Sequence, residues 1–403
     1  MTTIRLGEVA KIKHGFAFKS QYFTEEKSSY MLLTPGNFQP RGGYQPHKPK
    51  YFAGPIPTDF VLNPGELLLL MTDLSRGIDT LGSPLLVPST SDYSLLHNQR
   101  IGKITNLSPE VNKTWLYYRL QLADYHDYIV GTSTGSTVHH TSPSTISEFS
   151  FEIPDLKAQK KIAKVLEALD DKIAANQLAI HKIQELLHAQ WHAITNTGIS
   201  STEPISSIAE VNPRTSKPQS DECSFLEMKD LPEYGLIVDR WGKRETKGGT
   251  KFRNGDVLLA RITPCFENGK MAIVDFLEDD EVGMGSTEYI VFRPKEGIPA
   301  AAIHAIIASP EFRGFGYKAL TGTSGRQRIA ADDLKEIAVP WPSESALTEY
   351  RKLTDALLKK ATALRNENQV LARTRDELLP LLMSGRITVG EAEDAADKVT
   401  SES

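Results

Sequence analysis

The stretch that decides the fold is "FEIPDLKAQKKIAKVLEAL", Phe151 to Leu169, because it changes from a strand pattern to a helix pattern within a few residues. The strand-like run stops at Pro154, and a long helical pattern of charged and apolar residues begins at once. The same junction recurs at "IAVPWPSESALTEYRKL", Ile337 to Leu353. A proline-stopped strand followed by a long helix therefore occurs twice in this chain.

Other landmarks repeat in the same order, at similar distances along the chain. The matched pairs are "LGEVAKI" at Leu6 with "ISSIAEV" at Ile205, "LNPGELLLL" at Leu62 with "FRNGDVLLA" at Phe252, and "GTSTGS" at Gly131 with "GTSGRQ" at Gly322. Short apolar runs between turn residues predict strands in each copy. The pattern predicts two copies of one module, each a β-rich part followed by a long helix, and so a domain duplication rather than a solenoid.

Composition sets the broad class of the protein. The chain has 403 residues, of which 40% are hydrophobic and 24% are charged, which is typical of soluble proteins with two or three domains. No apolar run approaches the roughly 20 residues of a membrane span, and the N-terminus lacks the apolar segment of a secretory signal. Two cysteines form no disulfide framework. We expect a cytoplasmic protein.

The net charge of −5 argues only weakly against a nucleic-acid partner. Most of this charge lies in the tail from Gly390 to Ser403, which has five acidic residues and one lysine. The rest of the chain is nearly neutral and can still carry a local basic face. The small and acidic residues of the tail predict disorder.

The two long helices carry apolar residues at a 3.5-residue period, which is typical of a coiled coil. The predicted seam residues are Leu166, Leu169, Ile173, Asn176, Ile180, Ile183 and Leu187 in the first helix, and Leu357, Leu364, Asn368, Leu371 and Leu378 in the second. A helix of about 38 residues is roughly 57 Å long, too long to wrap one small domain, so we expect the two helices to pack on each other. Asn176 and Asn368 lie near the middle of their seams, and we hypothesise that they meet in an antiparallel pair.

Four segments together resemble one known family. They are "IPDLKAQKKIAKVLEALDDKIAANQ" (Ile153 to Gln177), "LLPLLMSGRI" (Leu378 to Ile387), "HNQRIGKI" (His97 to Ile104) and "GSTVHHTSPSTISEFSFEIPD" (Gly135 to Asp155). They resemble the specificity (S) subunits of Type I restriction-modification systems, and the similarity extends over nearly the whole chain in two copies. The helix junctions are its most specific part. The second junction, "VPWPSESALTEYRKL", lacks the pattern that "LKAQKKI" keeps in part in the first.

The resemblance implies a non-catalytic subunit that binds double-stranded DNA. Two target-recognition domains would each read one half of a bipartite site, and the two helices would form an antiparallel spacer. Methyltransferase (M) subunits would dock on the helices, and restriction/translocase (R) subunits would join them. S-adenosylmethionine, ATP and Mg are expected in those partner subunits, with no cofactor bound by this chain.

The expected fold is α/β (α+β), with two β-rich target-recognition domains separated by an antiparallel coiled coil and related by a pseudo-twofold internal repeat. The expected segments are residues 1–153 (first recognition domain), 154–196 (first spacer helix), 197–203 (linker), 204–339 (second recognition domain), 340–386 (second spacer helix) and 387–403 (acidic tail). A rod of roughly 57 Å would measure a DNA spacing on the order of 15 base pairs.

Catalytic patterns in the chain are weak. It has neither the Asn/Asp-Pro-Pro-aromatic loop of an amino-methyltransferase nor a GxxxxGK[ST] phosphate loop. "GTSTG" matches a nucleophile elbow around Ser133, but no helix pattern follows it, so a turn is favoured. Asp221 with Glu227 and Lys229 resembles a nuclease set, and solvated surface residues are the commoner case. His188 and His192 lack a third ligand, so a solvated pair is favoured and no metal site is predicted.

With catalytic and metal sites disfavoured, the sequence favours a role in binding DNA. Arg, Lys, Asn and Gln match the hydrogen-bonding edges of bases, whereas Ser and Thr suit phosphates. The predicted DNA contacts are Arg76, His97, Asn98, Gln99, Arg100, Ser133, Ser136, Thr137, His139 and His140 in the first copy, and Lys243, Arg244, Lys247, Thr323, Ser324, Arg326, Gln327 and Arg328 in the second. The cluster around Arg326 is the strongest. Two alternatives stay open, a protein- or carbohydrate-binding scaffold with no DNA role and an enzyme that modifies DNA alone.

Overall fold

The computed structural model describes residues 2–75, 77–197, 199–323 and 325–401. Both predicted strand-to-helix junctions are present, but the second strand continues through Pro340, so the second long helix begins four residues later than predicted. A strand ends at Ile153 and a 42-residue helix begins at Leu156, and a second strand ends at Pro342 before a 40-residue helix that begins at Glu344. Capping side chains help to start both helices, because the Asp155 carboxylate and the Ser343 hydroxyl each accept a backbone N–H from the first turn.

The strands are concentrated in residues 11–105 and 209–294, and the α-helices of the described residues lie outside both stretches. The strands are β1 (Thr2–Arg5), β2 (Lys11–His14), β3 (Phe23–Thr24), β4 (Tyr30–Leu32), β5 (Tyr51–Phe52), β6 (Leu67–Leu70), β7 (Thr72–Asp73), β8 (Pro84–Leu86), β9 (Ser94–Leu96), β10 (Ile101–Thr105), β11 (His139–His140), β12 (Ser150–Ile153), β13 (Ile199–Pro204), β14 (Ala209–Val211), β15 (Glu222–Leu226), β16 (Gly242–Glu245), β17 (Thr250–Phe252), β18 (Val257–Ala260), β19 (Met271–Ile273), β20 (Gly283–Gly285), β21 (Tyr289–Pro294) and β22 (Ala338–Pro342). The α-helices are α1 (Leu6–Val9), α2 (Lys113–Arg119), α3 (Ala123–Gly131), α4 (Pro143–Ser147), α5 (Leu156–Thr197), α6 (Ile205–Ile208), α7 (Ala300–Ala308), α8 (Pro310–Lys318), α9 (Glu344–Met383) and α10 (Val389–Ser401).

The chain divides into two compact units. Unit 1 is Met1–Asp171 with Leu371–Glu402, and its sheets have the strand orders β2-β10-β6-β8 and β3-β5-β4-β9, with the pairs β1-β12 and β11-β7 beside them. The strand β1 pairs antiparallel with β12, from Thr2 opposite Ile153 to Arg5 opposite Ser150. The first strand of unit 1 is therefore hydrogen-bonded to the strand that leads into α5.

Unit 2 is Lys172–Val370, and its sheets have the orders β14-β21-β18-β19 and β16-β15-β20-β17, with the pair β13-β22 beside them. Its main core joins residues from β18, β21 and α7 with apolar residues of both long helices, including Leu187, Trp191 and Leu364. Inside unit 2, helix packing and sheet packing thus share one apolar core.

The glycine-containing turn before the buried strand is built in the same way in both units. Gly65 has a φ of 76° and Gly255 a φ of 86°, in the left-handed region that favours glycine. The acid after each glycine, Glu66 or Asp256, accepts a backbone N–H three residues earlier, at 3.0 and 2.8 Å. The strands that follow, β6 and β18, are buried along their full length. The predicted likeness of these two segments is confirmed in their hydrogen bonds.

Within unit 2, the segments of α5 and α9 run antiparallel. Asn176 contacts Asn368, and the Tyr350 hydroxyl donates to the backbone oxygen of Leu187 at 3.1 Å. Residue numbers therefore rise along one helix as they fall along the other. The hypothesised contact between the two asparagines is present.

The predicted seam residues are on the covered faces of the two helices. Buried among them are Leu166, Leu169, Asn176, Ile183, Leu187, Leu364, Leu371 and Leu378, whereas Ile173, Ile180, Leu357 and Asn368 are half-buried. Within unit 1, Arg375 of α9 donates to the Asp170 carboxylate of α5 at 2.6 Å, and the Tyr118 hydroxyl donates to the other oxygen of that carboxylate at 2.6 Å. This polar contact joins the two helices to α2.

Two segments differ from the sequence-based expectation. The stretch expected to be a linker contains β13, which pairs antiparallel with β22. The tail expected to be disordered forms α10, in which Ala392 is fully buried. A capping box explains its start, because the Glu391 carboxylate accepts hydrogen bonds from the backbone N–H and the hydroxyl of Thr388. Among the described residues, no helix combines the length and the apolarity that a membrane crossing requires.

Candidate nucleic-acid interface

Three predicted segments of unit 1 meet around Met71, which follows the buried strand β6. The Met71 N–H donates to the Arg100 oxygen at 2.9 Å, and the Thr141 N–H donates to the Met71 oxygen at 3.1 Å. Thr134 and His140 exchange backbone hydrogen bonds of 3.0 and 2.8 Å and so close the hairpin that precedes Thr141. The segments 97–100, 133–141 and the loop after Met71 therefore lie side by side.

The loop after Met71 is held from inside by Asp73. Its buried carboxylate accepts the N–H of Ser75 at 2.6 Å and both the N–H and the hydroxyl of Thr80 at 2.7 Å. Burial acts to raise the pKa of Asp73, but the hydrogen bonds from Ser75 and Thr80 outweigh it and keep the pKa below its usual value. The predicted contact Arg76 lies outside the described residues.

Asn98, Gln99 and Arg100 line an open cleft of about 680 Å³ in unit 1. Lys48 and Lys50 line the same cleft, and Lys50 lies over the Phe23 ring, with its Nζ 4.2 Å from the ring centroid. The sequence analysis missed these two lysines, although "HKPKYF" places closely spaced cations next to aromatic residues. The cleft thus combines cations with amide side chains, which are the groups that contact phosphates and base edges.

His97 is a correction to the predicted set. Its side chain is 0% exposed, and its Nε2 lies 2.9 Å from the backbone oxygen of Ile101. Burial lowers the pKa of His97 to about 4, so the ring is neutral at physiological pH. A neutral, covered imidazole has no surface with which to touch DNA, and His97 instead supports the backbone that carries Asn98 to Arg100.

The predicted residues of segment 133–141 differ in their exposure. Ser136, Thr137 and His140 are exposed, whereas Ser133 and His139 are half-buried. The Ser133 hydroxyl donates to the Val130 oxygen at 2.8 Å. Ser133 follows the end of α3 and does not stand between a strand and a helix, so it lacks the context of a nucleophile elbow.

Unit 2 has a matching arrangement around Arg261, which follows the buried strand β18. The Arg261 N–H donates to the Glu288 oxygen at 2.9 Å, and the Ile329 N–H donates to the Arg261 oxygen at 3.0 Å. Thr321 and Arg328 exchange backbone hydrogen bonds of 3.0 and 2.8 Å. Position by position, Arg261 corresponds to Met71 of unit 1, Glu288 to Arg100, Ile329 to Thr141, Thr321 to Thr134 and Arg328 to His140.

The predicted cluster of unit 2 lies on this hairpin. Thr323 and Arg326 are exposed, and Ser324 lies outside the described residues. Gln327 is half-buried, and its backbone N–H donates to the Thr263 hydroxyl at 2.9 Å. Arg328 is engaged in an ion pair with Glu288, whose carboxylate accepts from the guanidinium at 2.7 to 3.0 Å. The prediction considered cations, amides, hydroxyls and histidines but no acids, and therefore missed this glutamate.

The other predicted cations of unit 2 are on the edge strand β16 and just beyond it. Lys243 and Arg244 belong to β16, which is exposed along its length, and Lys247 follows it. The Arg244 guanidinium lies 4.9 Å from the centre of the Phe225 ring, and Lys247 forms an ion pair with Glu245. Two of the three cations thus already have a partner in unit 2.

The residues weighed above as a metal pair or a nuclease set mostly form contacts within the protein. His304 is 0% exposed, and its Nε2 donates to the Gly235 oxygen at 2.8 Å, so its Nδ1 accepts the hydrogen of His188 Nε2 at 2.9 Å. The prediction of a solvated pair is therefore wrong for His188, which is half-buried, whereas His192 is exposed. Glu227 and Lys229 form an exposed ion pair of 3.1 Å. No three His, Cys, Asp or Glu side chains of the described residues converge as metal ligands.

Comparisons with known proteins agree on one family. Residues 1–185 match the model of the Type I restriction modification DNA specificity domain. The Escherichia coli Type I restriction enzyme EcoEI specificity subunit is 28% identical over 48% of this chain and 33% of its own length. The EcoAI specificity subunit of Escherichia coli is 30% identical over 41% of this chain and 30% of its own length. The chain thus spans about a third of the length of these curated relatives.

A solved structure supports the same fold over a longer range. The crystal structure of the S subunit of a Type I restriction-modification system from M. genitalium aligns with a TM-score of 0.52, covering 94% of this chain and 95% of that chain at 13% identity. At this identity the likeness bears on the fold alone. Residues 1–185 thus resemble the DNA specificity domain of Type I restriction-modification systems, and the fold of the chain resembles that of an S subunit of such a system.

Proposed function

We propose that this chain is the DNA-specificity subunit of a Type I restriction-modification complex and that each unit reads one half of a bipartite site in double-stranded DNA. The observation that carries the proposal is the matching loop arrangement around Met71 and Arg261. In each unit the loop that follows a buried strand is hydrogen-bonded to the end of a hairpin, and cationic and amide side chains are exposed nearby. Two copies with different side chains suit a split, asymmetric target.

We further propose that α5 and α9 form an antiparallel spacer between the two readers. The covered seam residues and the asparagine contact support this role. Helices of 42 and 40 residues are about 60 Å long, which sets an outer limit of roughly 18 base pairs for the spacing between half-sites.

The partners follow from the same proposal. Methyltransferase (M) subunits would dock on α5 and α9, and restriction/translocase (R) subunits would complete the complex. This chain would carry no catalytic step, and S-adenosylmethionine, ATP and Mg would act in the partner subunits. The structural contacts of Ser133, His188 and Lys229 support a binding rather than a catalytic role.

Two experiments test the proposal. In a salt series with random-sequence duplex DNA, a protein that contacts phosphates loses affinity steeply as salt rises, whereas a scaffold for protein or carbohydrate shows no duplex binding to lose. Expression together with the neighbouring genes, followed by mapping of methylated adenines in the host genome, should give a two-part motif. Methylation that is unchanged by deleting this chain would contradict the proposal.

A further inference from the structure

The Arg328 side chain is held along one edge of its guanidinium group. Its Nε lies 3.0 Å from both Glu288 carboxylate oxygens, and its Nη2 lies 2.7 Å from Oε1. Nη1 makes only a long contact of 3.4 Å, to the backbone oxygen of Arg326. The side chain is 43% exposed. The edge formed by Nη1 and Nη2 therefore keeps N–H groups for an external acceptor.

The backbone beneath this side chain is held as well. Arg328 exchanges two hydrogen bonds with Thr321 and forms a β-bridge with Ile262, and the next N–H, that of Ile329, donates to Arg261. Both ends of the side chain are thus fixed before any ligand arrives. Prior fixation lowers the entropy lost when a guanidinium group binds in one geometry.

The surroundings of Glu288 carry an excess of positive charge. Hydrogen bonds from Arg328 lower the pKa of Glu288, so its carboxylate is ionised at neutral pH. Arg261 Nε lies 3.9 Å from the same carboxylate and is buried without a hydrogen-bond partner, and Arg326 is exposed nearby on the hairpin. One carboxylate thus faces two arginines, Arg261 and Arg328, and the remaining positive charge suits an acceptor-rich ligand.

The matching positions of unit 1 hold different residues. Arg100 takes the place of Glu288, and His140, whose Nδ1 lies 3.1 Å from the Thr72 hydroxyl, takes the place of Arg328. Among the described residues, the two matched positions form an arginine–glutamate pair in unit 2 and not in unit 1. The two units therefore present different groups from the same framework position.

We propose that Arg328 reads a guanine in one half of the site through its Nη1/Nη2 edge and that Glu288 is the positioning residue that makes this reading selective. A guanine presents O6 and N7 as paired acceptors in the major groove, and the guanidinium fork matches that pair. The inference rests on the proposed DNA function and assigns base choice to a glutamate that does not itself touch the base.

The test compares the base preferences of the wild type, Glu288→Gln and Arg328→Lys. Each full-length chain selects from a library of random-sequence duplexes, and the bound DNA is sequenced. The wild type should yield a motif with one guanine that both variants lose, with its preference over the other bases falling about tenfold or more. The remaining positions of the motif should be unchanged. This outcome distinguishes base reading from a merely structural role, which would weaken binding without altering base choice.

Asp332→Asn is the matched control, because it removes the carboxylate of another ion pair of unit 2, 2.7 Å from Lys335. It should keep the wild-type motif, and thermal unfolding checks that all variants fold. Variants that are folded and keep the guanine would overturn the inference and leave the DNA function standing. A wild type that selects no motif would instead overturn the proposed function, and the inference with it.

Discussion

Asn176 donates a hydrogen bond to Asn368 across the two long helices, with 2.9 Å between Nδ2 and Oδ1. Asn176 Nδ2 also donates to the Glu367 carboxylate at 2.8 Å, and that carboxylate lies 3.3 Å from Lys172 Nζ. Only 4% of Asn176 is exposed. A buried amide at this place requires both acceptors opposite it and therefore favours one register of the two helices.

We predict that the two asparagines are energetically coupled. Asn176→Leu removes the amide donor that Glu367 and Asn368 share, which should lower the free energy of unfolding by about 1–3 kcal/mol. The variant with both Asn176→Leu and Asn368→Leu should lose less than the sum of the two single losses, by about 0.5 kcal/mol or more. Urea unfolding of the four proteins measures the coupling. Gln177→Leu, on the exposed side of α5, is the control, and strictly additive losses would refute the coupling.

The two turn glycines should respond alike to substitution. An added Cβ would meet only Lys113 Nζ at 3.7 Å at Gly65 and nothing within 4 Å at Gly255, so space is not limiting. The positive φ remains, and Gly65→Ala and Gly255→Ala should each lower the free energy of unfolding by about 1–2 kcal/mol. Thermal or urea unfolding measures both losses.

Gly314 supplies the control for this experiment. It lies in α8, where an added Cβ also meets nothing within 4 Å, and its φ is not positive. Gly314→Ala should leave stability unchanged or raise it by up to about 1 kcal/mol, because alanine favours helices. An equal loss in all three variants would show that the strain argument is wrong.

The buried His304 should make unit 2 less stable in acid. Burial lowers its pKa from 6.5 to about 3. As the pH falls below about 6.5 the unfolded chain binds a proton that the folded chain does not, so the free energy of unfolding decreases, by up to about 1.4 kcal/mol per pH unit. This stability is fully present above the unfolded pKa and is lost between about pH 6.5 and 3.

Unfolding free energies at pH 7.5 and at about pH 5.5 measure this effect. His304→Leu should reduce the difference between the two values by about one proton's contribution, even though it also lowers stability at both pH values. Gln190→Ala, at an exposed residue of α5 that does not titrate, should leave the pH dependence as it is. An unaltered difference in the His304 variant would count against the burial argument.

Arg326 should contribute to DNA affinity in a different way from Arg328. Its exposed side chain suits a phosphate, so Arg326→Ala should weaken binding to all duplexes by up to about 1 kcal/mol, roughly fivefold. It should also reduce by about one the slope of log affinity against log salt concentration. Filter binding over a salt series measures both, and Lys360→Ala, at an exposed cation of α9, is the control. A loss confined to one DNA sequence would argue for base contact instead.

The sequence predicted most of the framework because its signals are local. The prolines at the junctions, the glycine–acid turns and the 3.5-residue seam each constrain a short stretch of backbone, and all of them are present in the structure. The strand β13 was missed because "ISSTEP" is polar and short, and its pairing with β22 depends on a partner more than a hundred residues away. The helix α10 was missed because the small and acidic residues of the tail predict disorder, and the capping box of Thr388 and Glu391 was not considered.

The individual contacts of the site were harder to predict. His97 was expected on the surface from its residue type, but the apolar residues on either side of "HNQR" bring it into the core. Glu288 was overlooked because an acid is repelled by DNA unless a cation lies against it, and the arginines concerned are 27 and 40 residues away in the chain. Such pairings depend on tertiary structure.

The strand pairs β1-β12 and β13-β22 have a consequence for how this protein can change. Thr2 lies opposite Ile153, and Pro204 lies opposite Ala338, so the polypeptide enters and leaves each β-rich module at neighbouring points. A module whose two ends are adjacent can be exchanged for another module without a new linker, because joining ends that already lie together costs little chain entropy. Grafting a foreign segment in place of residues 2–153 should therefore need no new linker, provided that the segment again supplies a partner for Asp170 of α5, which the Tyr118 hydroxyl contacts in this chain.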